Sequence, residues 1–370
     1  MHSSKMVNLV CPICHSALED VETGAQCSCC RCVFPVVGAV LCFSEQGKAA
    51  WDNGTRHQFD LYDARYATQV PAPVYKPNTM TGLHVLTFKM AQLDALISDF
   101  QLRGNFRILE VGCGDGWFLR WLNNRYHVRG IGVDISPAAA NLAAANDWAG
   151  NEYYAVEASQ LPFKASSFDL VCSLDMIEHL THERKRDALK EMVRVLKPGG
   201  DVLLYTLHID DKYTDFWFKR TWARLRGGER AVRERERIAY EQEAGHLLSN
   251  FISVQAMRVL AQESGLEEVQ LLPFHAMCTS IYDLYIVRFI ISPLMSLINR
   301  ASHAWWPQNS PTVSSKVSAN APVTPRWKET LIKVYRPVFT GAMKLLCTLD
   351  RPLIARGHFA SMFVVGRKGA

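Results

Sequence analysis

Long apolar runs and a strong imbalance of charge are both missing from this chain of 370 residues. Residues 1–10 contain no apolar core of the length that a secretion signal needs, so we expect a cytoplasmic protein. The net charge of +5 is small for this length, and charge alone therefore does not predict nucleic-acid binding. A hydrophobic content of 48% with 21% charged residues is typical of a globular protein and excludes a fibrous or disordered chain.

Cysteine, in contrast, is concentrated at one place, because six of the eleven cysteines lie within residues 11–32. In a chain without a secretion signal, clustered Cys-x-x-Cys pairs are more typical of metal ligands than of disulfides. Cys11 and Cys14 form the first pair, and the second is open because two registers have the right spacing. They are Cys27/Cys30 and Cys29/Cys32. Four thiolates around Zn²⁺ leave no open position for catalysis, so the pattern predicts a structural zinc site. The alternative is that the cysteines are ordinary small core residues.

Residues 107–122 have the pattern of a strand, a glycine turn and a helix. The apolar run to Val111 is followed by Gly112, Gly114 and Gly116, and then by residues that favour a helix. Glycine permits positive φ and close approach of a ligand, and N–H groups at a helix start can face a carboxylate or phosphate. Alone, a G-x-G-x-G pattern is weak support for a nucleotide site.

Further strands and helices alternate after this loop. Strands are predicted at 128–136, 152–158, 168–175 and 201–207, with helices at 137–147 and 182–196. This alternation predicts an α/β fold with a doubly wound, mostly parallel sheet that binds its ligand at the carboxyl ends of the strands. Asp134 ends the second strand, where a carboxylate can accept both hydroxyls of a ribose.

Four segments, in order and spacing, resemble the class I S-adenosylmethionine-dependent methyltransferases, particularly the small-molecule branch typified by ubiquinone-type O-methyltransferases. They are LEVGCGDG (109–116), GVDIS (132–136), EASQLPFKASSFDLVCSLDMIEHL (157–180) and VLKPGGDVLL (195–204). The resemblance implies a Rossmann-like sheet of seven strands, with S-adenosylmethionine rather than NAD as cofactor. The cysteine segment resembles the Trm112-like zinc ribbon, in which the spacing to an aromatic-Pro-Val turn, here Phe34-Pro35-Val36, selects Cys27 and Cys30 as the second pair.

The methyltransferase resemblance also implies a role for each cofactor residue. The glycine loop would bind the amino-carboxylate tail, with Glu110 near its ammonium, and Asp134 would bind the ribose. Glu157 stands where the family usually has Asp beside the adenine amino group, and Ala158 would offer its N–H to an adenine nitrogen. The full predicted set is Glu110, Gly112, Gly114, Gly116, Asp134, Ile135, Glu157, Ala158 and Leu174.

Methyl transfer from a sulfonium to oxygen or nitrogen requires alignment and the loss of a proton from the acceptor. His179 and His246 are the candidate bases, although each also fits a packing role. Asp175, Glu178 and His179 resemble an acid-x-x-Glu-His segment that binds a divalent cation in some relatives, which makes a Mg²⁺ site a hypothesis. The alternative is that Glu178 and His179 only start and orient the following helix.

The remaining segments complete the predicted organisation. We expect a zinc ribbon over 1–45, a linker or flap with an N-terminal helix over 46–104, a methyltransferase domain over 105–275 plus 358–370, and a helical insertion over 276–357. Within the second segment, 59–67 predict a short helix or flap and 83–102 an amphipathic helix. The insertion is expected to contact the inner face of a membrane or to form a homodimer surface. Basic and aromatic residues over 208–244 predict a lid over the acceptor.

Taken together, these patterns predict methyl transfer to a small-molecule or lipid-linked acceptor, at oxygen. An RNA base methyltransferase is the first alternative, because rRNA guanine enzymes also join a Cys-rich module to this fold. SLDMIEHL (173–180) lacks the catalytic signature expected there, so nucleic acid is not the expected partner. A non-catalytic scaffold is the second alternative, against which the complete glycine loop argues.

Overall fold

The computed structural model divides the chain into two units. The larger comprises Met1–Ala72, Arg103–Phe274 and Ala360–Ala370, and the smaller comprises Pro73–Leu102 and His275–Phe359. The parts of the chain that the structure describes are residues 9–47, 51–69, 88–100, 102, 106–207, 250–274, 278, 345–355, 359 and 361–369. The excursion at 208–244, His246 and most of the expected insertion, including Trp305 and Trp306, lie outside these residues.

A small antiparallel sheet opens the larger unit. Its four strands are β1 (Leu18–Val21), β2 (Gly24–Cys27), β3 (Val33–Val37) and β4 (Val40–Leu41), hydrogen-bonded in that order. Phe34 and Phe43 are buried with ring centroids 4.9 Å apart. We call residues 9–43 the ribbon.

The large sheet has seven strands. They are β5 (Ile108–Val111), β6 (Gly130–Asp134), β7 (Glu152–Ala155), β8 (Phe168–Leu174), β9 (Leu196–Leu207), β10 (Leu266–Phe274) and β11 (Ser361–Lys368). Their order is β10-β11-β9-β8-β5-β6-β7, and β11 runs antiparallel to both of its neighbours while β5 to β9 pair in parallel. The predicted doubly wound, mostly parallel sheet is confirmed.

The helices of the larger unit include those predicted from sequence. They are α1 (Ser44–Gly47), α2 (Asn53–Ala67), α4 (Trp117–Tyr126), α5 (Pro137–Asn146), α6 (His182–Val195) and α7 (Val254–Glu263). Ser136 caps α5 through Ala139 N–H, and Pro137 occupies its first turn as expected. In the smaller unit, α3 (Phe88–Asp99) lies within the helix expected at 83–102, and residues 345–355 are also helical. Nowhere in the described ranges is a helix both long and apolar enough to cross a lipid bilayer.

One strand begins earlier than predicted. The sequence predicts a helix that ends at 196 and a strand over 201–207, whereas β9 already starts at Leu196. Leu196 pairs with Phe168 and Asp201 pairs with Leu170, so residues 197–200 form an irregularity opposite Asp169. The Lys197 ammonium lies 2.7 Å from the Asp169 carboxylate and holds this bulge against β8.

The chain crosses from one side of the sheet to the other at β5. From β5 it proceeds to β6 and β7 on one side, and afterwards to β8 and β9 on the other. Ligands of open α/β sheets bind at this reversal, outside the carboxyl ends of the strands. The glycine loop after β5, Asp134 at the end of β6 and Leu174 at the end of β8 all lie at this edge.

Candidate cofactor site and metal centre

The loop after β5 has a backbone conformation that glycine favours. Gly112, Gly114 and Gly116 have φ of 79°, 51° and 75°. A Cβ on Gly114 would lie 2.6 Å from Oη of Tyr66, and one on Gly112 would lie 2.6 Å from Cγ of Met176. Neighbouring side chains therefore leave no space for a larger residue at either position.

The N–H groups at the start of this loop bind the loop to β6. Gly112 and Cys113 donate to the carbonyl of Val133 at 2.8 and 2.9 Å, and Gly114 donates to Oδ2 of Asp134 at 2.9 Å. The glycine turn and the acid that ends β6 are thus one hydrogen-bonded structure. The expectation that loop N–H groups receive the carboxylate of a ligand stays a prediction.

Glu110 is the most enclosed acid of the site. Its side chain is buried, and Oε2 has no hydrogen-bond partner among the described residues. Burial raises the pKa of Glu110 well above its ordinary value, with further contributions from Asp115 and Asp134, while Arg120 opposes them. A buried polar atom without a partner costs free energy that a ligand ammonium placed there would offset.

Asp134 is partly buried at the end of β6, and backbone groups hold both of its oxygens. Oδ1 accepts from Ser136 N–H at 3.0 Å, and Oδ2 accepts from Gly114. Burial raises the pKa of this carboxyl, and the two N–H groups oppose that rise. Each carboxylate oxygen can accept a second hydrogen bond, which leaves the fixed Asp134 able to bind a diol. Ile135 follows it directly.

Glu157 follows β7 and is already engaged within the protein. Its Oε2 accepts from Ser159 Oγ and lies 3.5 Å from Arg184 Nη1. Burial raises the pKa of Glu157, and Ser159 and Arg184 oppose the rise. Arg184 was not among the predicted site residues, because its position in the first turn of α6 does not reveal which distant acid it contacts. Ala158 and Leu174 are both buried at the same edge of the sheet.

His179 lies on a single 3₁₀ turn, Ile177–His179, after β8. Its Nε2 is 3.1 Å from Tyr62 Oη, and the two rings meet edge to face with centroids 5.3 Å apart. Its carbonyl accepts from Asn250 Nδ2 at 3.0 Å. Burial raises the pKa of Tyr62 to about 12, so the phenol stays protonated at neutral pH and can donate to Nε2 in the tautomer that leaves this nitrogen unprotonated.

The structure does not support the hypothesised divalent site. Within the described residues, ligand atoms close enough to share a metal occur in the four-cysteine group, and Asp175, Glu178 and His179 do not form such a group. Asp175 is exposed with φ of 55°, whereas Glu178 is buried and accepts from Thr206 Oγ1 at 3.0 Å. The backbone therefore turns the two acids into different surroundings.

The cysteine cluster has the geometry of a metal centre. The sulfur atoms that lie within 4.8 Å of one another are those of Cys11, Cys14, Cys27 and Cys30. Four sulfurs at about 2.3 Å from a tetrahedral zinc ion would be about 3.8 Å apart. The observed separations of 3.5 Å (Cys11 to Cys30) and 3.4 Å (Cys14 to Cys27) are close to that value.

The backbone also distinguishes the two possible registers. His15 and Arg31, which follow Cys14 and Cys30, have φ of 57° and 61°, so both pairs end in the same left-handed turn. Sγ of Cys27 accepts from the N–H groups of Cys29 and Cys30 at 3.4 Å. The structure therefore groups Cys27 and Cys30 with Cys11 and Cys14, and their binding of a metal stays a prediction.

Comparison with known proteins gives a partial match. Residues 109–204 match the family model described as a methyltransferase domain. Chloroplastic tocopherol O-methyltransferase of Arabidopsis thaliana is 36% identical over 105 residues, which are 27% of this chain and 30% of the relative. The tRNA (carboxymethyluridine(34)-5-O)-methyltransferase of the same plant is 32% identical over 115 residues, 31% of this chain and 27% of the relative. The matches thus span less than a third of the length of these two relatives.

A solved structure of phosphoethanolamine N-methyltransferase 2 of Haemonchus contortus with S-adenosyl-L-methionine is 18% identical. The structural alignment covers 76% of this chain and 53% of the Haemonchus contortus chain, with a TM-score of 0.45.

Proposed function

We propose that this chain is an S-adenosylmethionine-dependent methyltransferase with its cofactor at the carboxyl edge of β5, β6 and β7. One observation carries the proposal: the segment that matches a methyltransferase domain contains Glu110, a buried carboxylate with an oxygen that has no partner among the described residues. An amino-acid ammonium fits that oxygen, and the adjacent Asp134 fits a ribose diol. The cofactor supplies an electrophilic methyl group on a sulfonium.

On this proposal different residues bind different parts of the cofactor. Glu110 holds the ammonium and Asp134, with Ile135 beside it, holds the ribose. Glu157 and Ala158 lie on the adenine side, where Arg184 keeps the Glu157 carboxylate in place. Leu174, at the carboxyl end of β8, packs beside the methyl sulfonium of the cofactor.

His179 and Tyr62 are proposed to remove the proton of the acceptor. In the His179 tautomer with Nε2 unprotonated, the Tyr62 phenol donates to the imidazole and passes its proton there as it takes one from the acceptor. We infer an oxygen acceptor, on a small molecule or a lipid-linked compound, because the names of the two curated relatives described above specify transfer to oxygen. RNA is the second candidate, since one of those relatives modifies tRNA.

The four cysteines are proposed to bind one structural Zn²⁺. Burial raises the pKa of Cys11 to about 12, so the thiol stays protonated at neutral pH until a bound Zn²⁺ displaces its proton. Four sulfur ligands close the coordination sphere and exclude a catalytic role for the metal.

Two measurements test the enzyme proposal. Calorimetry with S-adenosylhomocysteine is expected to show binding to the wild type and its loss in Asp134→Ala, whereas Asp20→Ala, an exposed acid of β1, binds normally. The protein is then incubated with methyl-labelled S-adenosylmethionine and a cell extract. Label in the organic fraction supports a small-molecule or lipid-linked acceptor, and label in RNA alone selects the second candidate. No binding by the wild type contradicts the enzyme proposal and leaves the scaffold alternative.

A further inference from the structure

Helix α2 touches three of the loops that form the proposed cofactor site. Tyr66 lies against Gly114 in the loop after β5. Asp63 binds residues after β6, and Tyr62 binds His179 after β8. One helix from outside the alternating strands and helices thus covers the edge where the ligand is proposed to bind.

Asp63 connects α2 to Asp134, the residue proposed to bind the ribose. Oδ1 of Asp63 accepts from Ser136 Oγ at 2.7 Å and from Ala138 N–H at 2.9 Å. The N–H of Ser136 donates in turn to Oδ1 of Asp134 at 3.0 Å. Ser136 therefore stands between an acid of α2 and the acid that ends β6, and it receives support from both sides.

Polar and aromatic contacts together hold α2. Its buried residues are the polar Thr55 and Gln58, and the ring centroid of Phe59 lies 5.2 Å from that of the buried Trp51. Asp52 caps it through Thr55 N–H at 2.6 Å and accepts from Thr181 Oγ1 at 3.3 Å. A typical hydrogen bond contributes about 1 kcal/mol net, so loss of the two hydrogen bonds that Asp63 accepts is expected to let α2 open more easily.

We propose that α2 is a lid over the cofactor site and that Asp63 is the positioning residue that latches it closed. This rests on the proposed function. The latch acts on the acceptor side as well, because Tyr62 is the neighbour of Asp63 on the helix. Closing the lid against Ser136 places the Tyr62 phenol against His179, so one movement arranges both halves of the site.

The lid also governs how tightly the cofactor is held. If binding requires the closed form, the apparent Kd rises in proportion as the closed fraction falls. Removal of the two hydrogen bonds to Asp63 is expected to weaken S-adenosylhomocysteine binding about tenfold, which corresponds to about 1.4 kcal/mol.

Three variants isolate the latch. Asp63→Ala removes both hydrogen bonds, whereas Asp63→Asn keeps an oxygen that can accept them. Asp60→Ala removes an exposed acid from the same helix and is the matched control. Hydrogen exchange of peptides covering 53–67 and calorimetry with S-adenosylhomocysteine are measured for each, with thermal unfolding to confirm that the variants fold.

The expected result is faster exchange of α2 and a roughly tenfold weaker Kd in Asp63→Ala, with Asp63→Asn and Asp60→Ala close to wild type. Bound S-adenosylhomocysteine should slow the exchange of α2 in the wild type. Equal exchange and equal affinity in Asp63→Ala and wild type would overturn the latch, as would an Asn variant as weak as the Ala variant. If the wild type binds no S-adenosylhomocysteine, the enzyme proposal fails, but the exchange of α2 without ligand still tests the contact itself.

Discussion

At the scale of single residues, the proposed cofactor site contains acids that the protein does not fully neutralise. Glu110 and Asp134 both have raised pKa values, and burial is the main cause for each. Such an arrangement weakens the free protein, since a buried charge without a compensating partner is unfavourable. A bound cation and a pair of hydroxyls would supply those partners. The same buried acids that destabilise the ligand-free protein would therefore favour binding of such a ligand.

The first prediction concerns how the buried Glu110 affects the stability of the ligand-free protein. Because its pKa is raised above the ordinary 4.5, the folded state favours the protonated form, and the stability that this supplies is lost as pH rises from about 4.5 towards the folded pKa. Glu110→Gln should therefore stabilise the ligand-free protein by a difference that grows by up to about 1.4 kcal/mol per pH unit, while weakening S-adenosylhomocysteine binding. Denaturant melts between pH 5 and 8 measure it. Glu183→Gln, an exposed control in α6, should show neither effect, and a melting difference that shrinks with rising pH would contradict the assignment.

The second prediction concerns His179. Gln at this position can still accept a hydrogen bond from Tyr62 but cannot take a proton, so turnover of the identified acceptor should fall about 100-fold or more. The Kd for S-adenosylhomocysteine should stay within about threefold of wild type, because His179 lies on the acceptor side. His182→Gln, an exposed residue at the start of α6, is the control. Unchanged turnover in the His179 variant removes the residue from the mechanism.

At the scale of elements, local signals in the sequence predicted the framework but only part of α2. The cap at Ser136 and the proline that follows it set the start of α5 correctly. The early start of β9 escaped notice, because an irregularity at 197–200 depends on its partner strand and not on local pattern. The expectation at 59–67 caught part of α2, but the helix has no apolar stripe to mark its full length.

Residues of the proposed site were likewise predicted where the signal is local and missed where the contact joins distant parts of the chain. Asp134 was predicted because it ends a strand that closely follows the glycine turn, and Glu110 because the methyltransferase resemblance implies it. Arg184 and Tyr62 were missed because their partners, Glu157 and His179, lie 27 and 117 positions away along the chain. Only the folded sheet brings such residues together.

The third prediction separates two effects of a glycine in the cofactor loop. Gly114→Ala places a side chain at φ of 51° and also 2.6 Å from Tyr66 Oη, whereas Gly199→Ala has φ of 72° and nothing within 4 Å. The left-handed backbone should lower the folding stability of both variants by about 1–2 kcal/mol, and the clash with Tyr66 should lower that of Gly114→Ala further. Gly114→Ala should therefore melt lower than Gly199→Ala and bind S-adenosylhomocysteine more weakly.

Tyr66→Phe supplies the rescue for this comparison. It removes the hydroxyl and leaves Cζ, which is 3.5 Å from the position of the added Cβ, an ordinary contact. The double variant should therefore recover the part of the stability lost to the clash and retain the part due to φ. An equal melting temperature for Gly114→Ala with and without Tyr66→Phe would mean that Tyr66 does not lie over the loop.

At the scale of the whole larger unit, the ribbon and the large sheet share one interior. Leu9 pairs with Phe163, and Cys42 pairs in parallel with Ala155 at the end of β7. Val10 N–H donates to the carbonyl of Pro162 at 2.9 Å. Buried ribbon side chains belong to the same hydrophobic cluster as residues of the sheet. Those ribbon residues are Leu9, Cys11, Cys27, Phe34 and Phe43. The ribbon therefore covers the edge that β7 would otherwise expose.

The shared interior leads to the fourth prediction, which concerns the metal. Cys30→Ser removes one proposed ligand, whereas Cys29→Ser removes an adjacent exposed thiol that is outside the cluster. Elemental analysis of the purified proteins should find about one zinc per chain in the wild type and in Cys29→Ser, and much less in Cys30→Ser. Equal zinc loss in both variants would contradict the Cys27/Cys30 register.

Thermal unfolding extends this prediction from the ribbon to the large sheet. Because Cys11 and Cys27 lie in the core that also contains Tyr154 and Phe163, loss of the metal should lower the melting temperature of the sheet as well. A chelator should reproduce the effect in the wild type. A ribbon that folded on its own would instead lose its structure at low temperature while the sheet kept its normal melting temperature. The shared core favours the first behaviour, since residues that pack in one cluster unfold together.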